Sequence, residues 1–129
     1  MMKTIITTEQ APKALGAYSQ GVVTGDFVYT SGQIGIAPQS MKLVEGVEAQ
    51  IRQTLTNLKA IVEAGGGSLA DVIKLSVFLI EKDSWALVNK VMGEFFTAPF
   101  PARTALGVAW LPLGAEVEIE AIVRLASNA

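Results

Sequence analysis

The sequence predicts an α+β fold in which two helices cover one face of a mixed six-stranded sheet. Three observations carry that expectation. Two stretches place apolar residues at three- and four-residue steps, as an amphipathic helix does. Several shorter stretches alternate apolar with polar residues, as a half-buried strand does. Their order is strands, helix, strand, helix, strands, roughly two β-α-β halves, and helices packed on one sheet face suit that order.

Near the start "TIITTE" reads as a short strand, and "AYSQGVVTGDFVYTSGQIG" reads as a hairpin. In it "TGD", residues 24–26, separates the β-rich "GVV" and "FVYT". Gly32, Gly35 and Pro38 then mark an irregular stretch. Over residues 46–64, Val47, Ile51, Leu55, Leu58, Ile61 and Val62 form one helical stripe, ended by the glycines at 65–67. In "VIKLSVFLI", Ile73, Leu75, Val77 and Leu79 alternate against Lys74, Ser76 and Phe78. "DSWALVNKVMGEFF" offers Asp83 or Ser84 as N-cap and puts Trp85, Val88, Met92 and Phe95 on one stripe. Pro99 and Pro101 exclude regular helix beyond it, and strands over about residues 103–108 and 116–125 close the chain. With no internal repeat, low-complexity tract or linker, residues 1–129 read as one domain.

Of the 129 residues 50% are hydrophobic and 17% charged, against roughly 25% charged in an average soluble domain. No apolar stretch approaches the ~18–20 residues of a membrane span, so the surplus points to a homo-oligomer. The net charge is −2 with Lys and Arg scattered, which argues against a nucleic-acid surface. "MMKTIITTEQ" lacks a signal-peptide core, and cytoplasmic residence is the expectation. The chain has no Cys and no His, which removes thiolate nucleophiles, Cys and His metal sites and the usual general base. Chemistry must then run on carboxylates, Lys, Tyr, hydroxyls, backbone groups and water.

In the last strand Val117, Ile119, Ala121, Val123 and Leu125 share one side, and Glu116, Glu118, Glu120, Ile122 and Arg124 the other. A solvated face is one reading of the three carboxylates. In the preceding strand Arg103 shares a side with Ala105, Gly107 and Ala109, too small to bury it, which leaves room for a ligand. A structural ion pair with Glu116, Glu118 or Glu120 is the other reading of Arg103.

"PARTALGVAWLPLGAEVEIEAI" resembles the C-terminal signature of the RidA/YjgF family of enamine/imine deaminases. "APKALGAYSQGV", "SGQI", "NLKAIVEAGG", "VFL" and "VN…FF" extend the resemblance over essentially the whole chain. It implies a chorismate-mutase-like fold in a homotrimer, with a central barrel and three clefts between subunits. It also implies cofactor-free, metal-free hydrolysis of 2-iminobutanoate and 2-iminopropanoate to 2-oxo acids and ammonia, a form of metabolite damage control. These intermediates arise when pyridoxal-phosphate enzymes dehydrate threonine and serine. By the same resemblance Arg103 holds the substrate carboxylate and Glu118 the hydrolytic water, while Tyr18, Ser31, Gly32, Asn89 and Ala105 line the substrate. Tyr18 as an interface residue, Ser31–Gly32 as a plain turn and Asn89 as a buried amide stay open. Many members carry Cys where this chain has Ala105, and Pro where it has Ala17; the backbone at Ala105 still supplies the hydrogen bond described there. A non-catalytic 2-oxo acid-binding regulatory module is the alternative function. A ribonuclease or translation-inhibitor role fits less well with the missing His and the negative charge.

Overall fold

The computed structural model describes residues 2–126. In chain order the elements are β1 (Thr4–Ile6), β2 (Gly21–Thr24), β3 (Phe27–Thr30), β4 (Ile36–Ala37), β5 (Lys42–Leu43), α1 (Val47–Ala64), β6 (Val72–Leu79), α2 (Trp85–Phe95), β7 (Ala102–Gly107) and β8 (Val117–Arg124). Six strands form one mixed sheet, as the sequence predicts, and their order is β1-β2-β3-β8-β6-β7. Only β6 and β7 pair in parallel, joined by the crossover that α2 provides. β8 inserts between β3 and β6. The pair β4–β5 was invisible in the sequence, since two-residue strands carry no readable alternation.

Both helices pack on one sheet face. Ile51, Leu55, Leu58, Ile61 and Val62 of α1 and Val88 and Val91 of α2 are fully buried against Val28, Val77, Val117, Ile119 and Val123. Each such side chain contributes about 1.5–3 kcal/mol relative to exposure. The glycines end α1 as expected: Gly67 N–H reaches back to the Val62 carbonyl at 3.0 Å, and Gly66 has φ 98°, a value side chains resist. Gly25 (φ 57°) makes the two-residue turn of the β2–β3 hairpin.

Two expectations fail for identifiable reasons. Ile73 points outward and is 45% exposed, while Val72 is buried, because the β6–β8 register slips between Val72 and Lys74. Trp85 is 50% exposed and Phe95 only partly buried, so the buried stripe of α2 is Val88, Val91 and Met92. α2 lies beside the edge strand β7, where no further strand covers that flank. Trp110 lies beyond the end of β7 and is 73% exposed, and nothing in the structure explains it.

Buried amides fasten the loops to this frame. The Gln20 side chain donates to the carbonyls of Thr8 (2.9 Å), Ala11 (3.2 Å) and Pro12 (2.9 Å), and accepts from Thr8 N–H (2.7 Å). Asn57 on α1 donates to the carbonyls of Ile34 and Ile36 at 3.3 and 2.9 Å. Removing Gln20 leaves four backbone groups unpaired, so Gln20→Ala is expected to lose about 1–3 kcal/mol of unfolding free energy. Urea denaturation reads this as a lower midpoint at unchanged slope.

Candidate active site

Arg103 sits on the edge strand β7, paired in register with buried Leu75 of β6. Its Nη1 donates to Asn89 Oδ1 at 2.7 Å and to Met92 Sδ at 3.4 Å. Its Cζ lies 5.7 Å from the centre of the Trp85 ring. Trp85, Asn89 and Met92 follow at four- and three-residue steps, so one stripe of α2 cradles the guanidinium. Among the described residues no carboxylate comes within 4.0 Å of it, and Nε and Nη2 have no partner. The ion-pair reading of Arg103 is therefore not realised in the chain. Two residues further, Ala105 lines a cleft of roughly 340 Å³ together with Ile80, Lys82, Trp85 and Gly107.

Glu118 on β8 pairs with Phe78 of β6. Its seat is made by a bulge. Tyr29 pairs with Ile122, but the next bridge is Gln33 with Ile119, which leaves one extra residue on the β3 side. Thr30 Oγ1 accepts the Ala121 N–H at 2.9 Å, and Gln33 and Ile119 exchange both backbone hydrogen bonds at 2.9 and 3.0 Å. Ser31 is tied down by its hydroxyl, which donates to the Ser19 carbonyl, and by its N–H on the Gln20 carbonyl at 2.9 Å. Gly32 then lies directly against the carboxylate. A Cβ there would stand 2.9 Å from Glu118 Cδ and closer still to Oε2, so any other residue would push the carboxylate from this position.

Gly32 and Glu118 line a cleft of roughly 300 Å³ with Tyr18, Lys13, Leu15 and Leu113. The Tyr18 hydroxyl accepts the Leu15 N–H at 3.3 Å. Leu113 is held at φ 57° in the turn before β8. Burial raises the Glu118 carboxyl above its ordinary pKa, and the neighbouring Glu120 carboxylate raises it further.

The two groups do not meet. Arg103 shares the helix-covered face with Leu75, whereas Glu118 shares the open face with Phe78 and Leu106. Within a single chain the two groups therefore share no cleft. Arg103, Asn89 and Ala105 form one group, and Tyr18, Gly32 and Glu118 another, with Ser31 as a tether behind Gly32. Asn89 is exposed and holds Arg103, so it is not a buried amide. Trp85 was read as part of the buried stripe rather than as a neighbour of Arg103, and Lys13 and Gln20 were not singled out. The four-residue spacing of Trp85 from Asn89 was a usable signal, whereas Lys13 and Gln20 lie in an irregular segment with no period. Chemically, a cation with a free Nε–Nη2 edge fits a carboxylate, and a half-buried carboxyl whose pKa is raised by burial can take up and return a proton. Among the described residues no group of three His, Cys, Asp or Glu side chains is placed to hold a metal, and no helix is long and apolar enough to cross a membrane.

Residues 8–125 match the protein family described as endoribonuclease L-PSP. The chain is 47% identical over 122 residues to a 2-iminobutanoate/2-iminopropanoate deaminase of Dermatophagoides farinae, covering 94% of this chain and 95% of that one. Among solved structures it is similar to RidA of an Antarctic Psychrobacter, with TM-score 0.93 and 48% identity over 95% of this chain and 99% of the other. It is also similar to Escherichia coli TdcF with bound serine, with TM-score 0.92 and 43% identity over 95% and 99%.

The two causes of the Glu118 shift are separable. Glu120→Gln removes the like charge and leaves the burial, so the Glu118 pKa is expected to fall while staying above that of an exposed glutamate. Carboxyl-detected NMR titration of both proteins measures the difference.

Proposed function

Because the chain belongs to the RidA/YjgF family, which the endoribonuclease L-PSP description covers, we propose that it hydrolyses reactive 2-imino and enamine acids. 2-Iminobutanoate and 2-iminopropanoate are its substrates, and 2-oxo acids and ammonia its products. The observation that carries this reading is Arg103, a guanidinium held from three sides with no carboxylate beside it. An immobilised, un-neutralised cation at an open cleft suits an anionic substrate. The serine bound to TdcF carries a carboxylate and an α-nitrogen, the two groups a 2-imino acid presents.

Each site is built by two copies of the chain in a homotrimer. One copy supplies Arg103, Asn89 and Ala105, and the next supplies Tyr18, Ser31, Gly32 and Glu118. Two features support this. Arg103 and Glu118 lie on opposite sheet faces, so one chain cannot close the site. The helix-free face also leaves Ile5, Tyr29 and Leu106 exposed, apolar surface of the kind that covers a partner. We place the reaction in the cytoplasm, carried by residues 1–129 as one domain.

Arg103 binds the substrate carboxylate through its Nε–Nη2 edge, and backbone groups at Ala105 and Gly32 align the C=N bond. Glu118 takes a proton from water as the water oxygen bonds to the imine carbon. That proton passes to nitrogen, giving a carbinolamine; Glu118 then relays the hydroxyl proton to the same nitrogen, the C–N bond breaks, and ammonia leaves as the carbonyl forms. Imines hydrolyse readily, so orientation and one proton carrier are adequate, and the scheme calls on no cofactor or metal. RNA cleavage is not the reading we take, since the chain has no His and a net charge of −2.

A threonine dehydratase-coupled assay following imine disappearance tests the scheme. Glu118→Gln is expected to lower kcat by about 10²- to 10⁴-fold, and Arg103→Ala to lower kcat/KM by about 100-fold. Unchanged imine hydrolysis in Arg103→Ala at subsaturating substrate defeats the proposal.

A further inference from the structure

Trp85 belongs neither to the core nor to the scheme above, yet its half-exposed ring meets the substrate-binding cation. We propose that Trp85 is a positioning residue: its ring fixes the plane of the Arg103 guanidinium so that the Nε–Nη2 edge faces the cleft and sets how tightly a 2-oxo or 2-imino acid carboxylate is held. The inference rests on the functional reading only for the choice of that ligand.

The geometry explains why a ring is needed. Asn89 and Met92 both contact Nη1, and two contacts on one nitrogen leave the guanidinium free to turn about it. The Trp85 face, 5.7 Å from Cζ, restrains that turn. A carboxylate in its place would neutralise the cation, as Glu48 and Glu94 do for Arg52 at 3.0 and 2.6 Å. An aromatic face attracts the cation and leaves its charge available to a ligand. A side chain already held in its binding geometry loses less freedom when the ligand arrives. Trp85 also lines the cleft beside Ala105, so its ring senses whatever fills that space.

Calorimetric binding of 2-oxobutanoate tests this without requiring turnover. Trp85→Ala is expected to weaken binding roughly two- to fivefold, with Trp85→Phe in between. In the imine assay KM rises by the same factor while kcat holds. The chain has two Trp residues, so in Trp110→Phe the emission of Trp85 stands alone and should change on adding 2-oxobutanoate but not the uncharged 2-oxobutanamide. That optical readout keeps Trp85 in place and does not depend on how the alanine variant folds. Wild-type affinity in Trp85→Ala, or emission indifferent to saturating 2-oxobutanoate, overturns the inference. Binding and emission changes without imine hydrolysis leave it standing and defeat the deaminase reading instead.

Discussion

A β-strand turns successive side chains to opposite faces, and its hydrogen-bonded neighbours hold that choice in place. Here the register sets Arg103 beside buried Leu75 and Glu118 beside Phe78, one residue out of phase with buried Val77 and Leu79. The two groups thus lie on opposite faces of one sheet, and side-chain motion carries neither of them through it. In the function proposed above, a second copy of the chain is what brings the acid to the cation.

Each half is pre-organised by different means. The cation half uses a helix stripe, in which Trp85, Asn89 and Met92 grip Arg103 without neutralising it. The acid half uses backbone. A bulge lifts Ser31 and Gly32 out of the ladder, Thr30 supplies the missing acceptor to Ala121, and Gly32 comes so close to Glu118 that no side chain fits between them. Crowding strips water from the carboxyl and Glu120 adds repulsion, which together raise its pKa. Buried Gln20 and Asn57 hold the two flanking loops at the rim. The polar tethers and the site are thus one construction.

Much of this was legible in the sequence because period and punctuation are local signals. The stripe from Val47 to Val62, the glycine stop and the alternation of Val117 through Val123 against Glu118 and Glu120 all appear as read. Ile73 misled because a bulge adds a residue without leaving a compositional mark. Trp85 misled because helical spacing identifies a stripe but not what covers it, and an edge strand leaves that flank open. That Arg103 and Glu118 lie on opposite faces was not legible for a further reason. Strand parity is readable within each strand, but the relative phase of two strands is set by pairing through β6, which no local pattern reports. The resemblance of "PARTALGVAWLPLGAEVEIEAI" to RidA/YjgF proteins singled out these two residues together and implied clefts between subunits.

Co-expression of two inactive chains in equal amounts tests the composite site most directly. Arg103→Ala chains retain the acid half, and Glu118→Gln chains retain the cation half. If neighbouring copies build each site, random mixing restores both halves at about one interface in four, and imine hydrolysis returns to about a quarter of wild type. If one chain held both groups, no mixed oligomer would contain an intact site, and a mixture no more active than either variant alone would contradict the account.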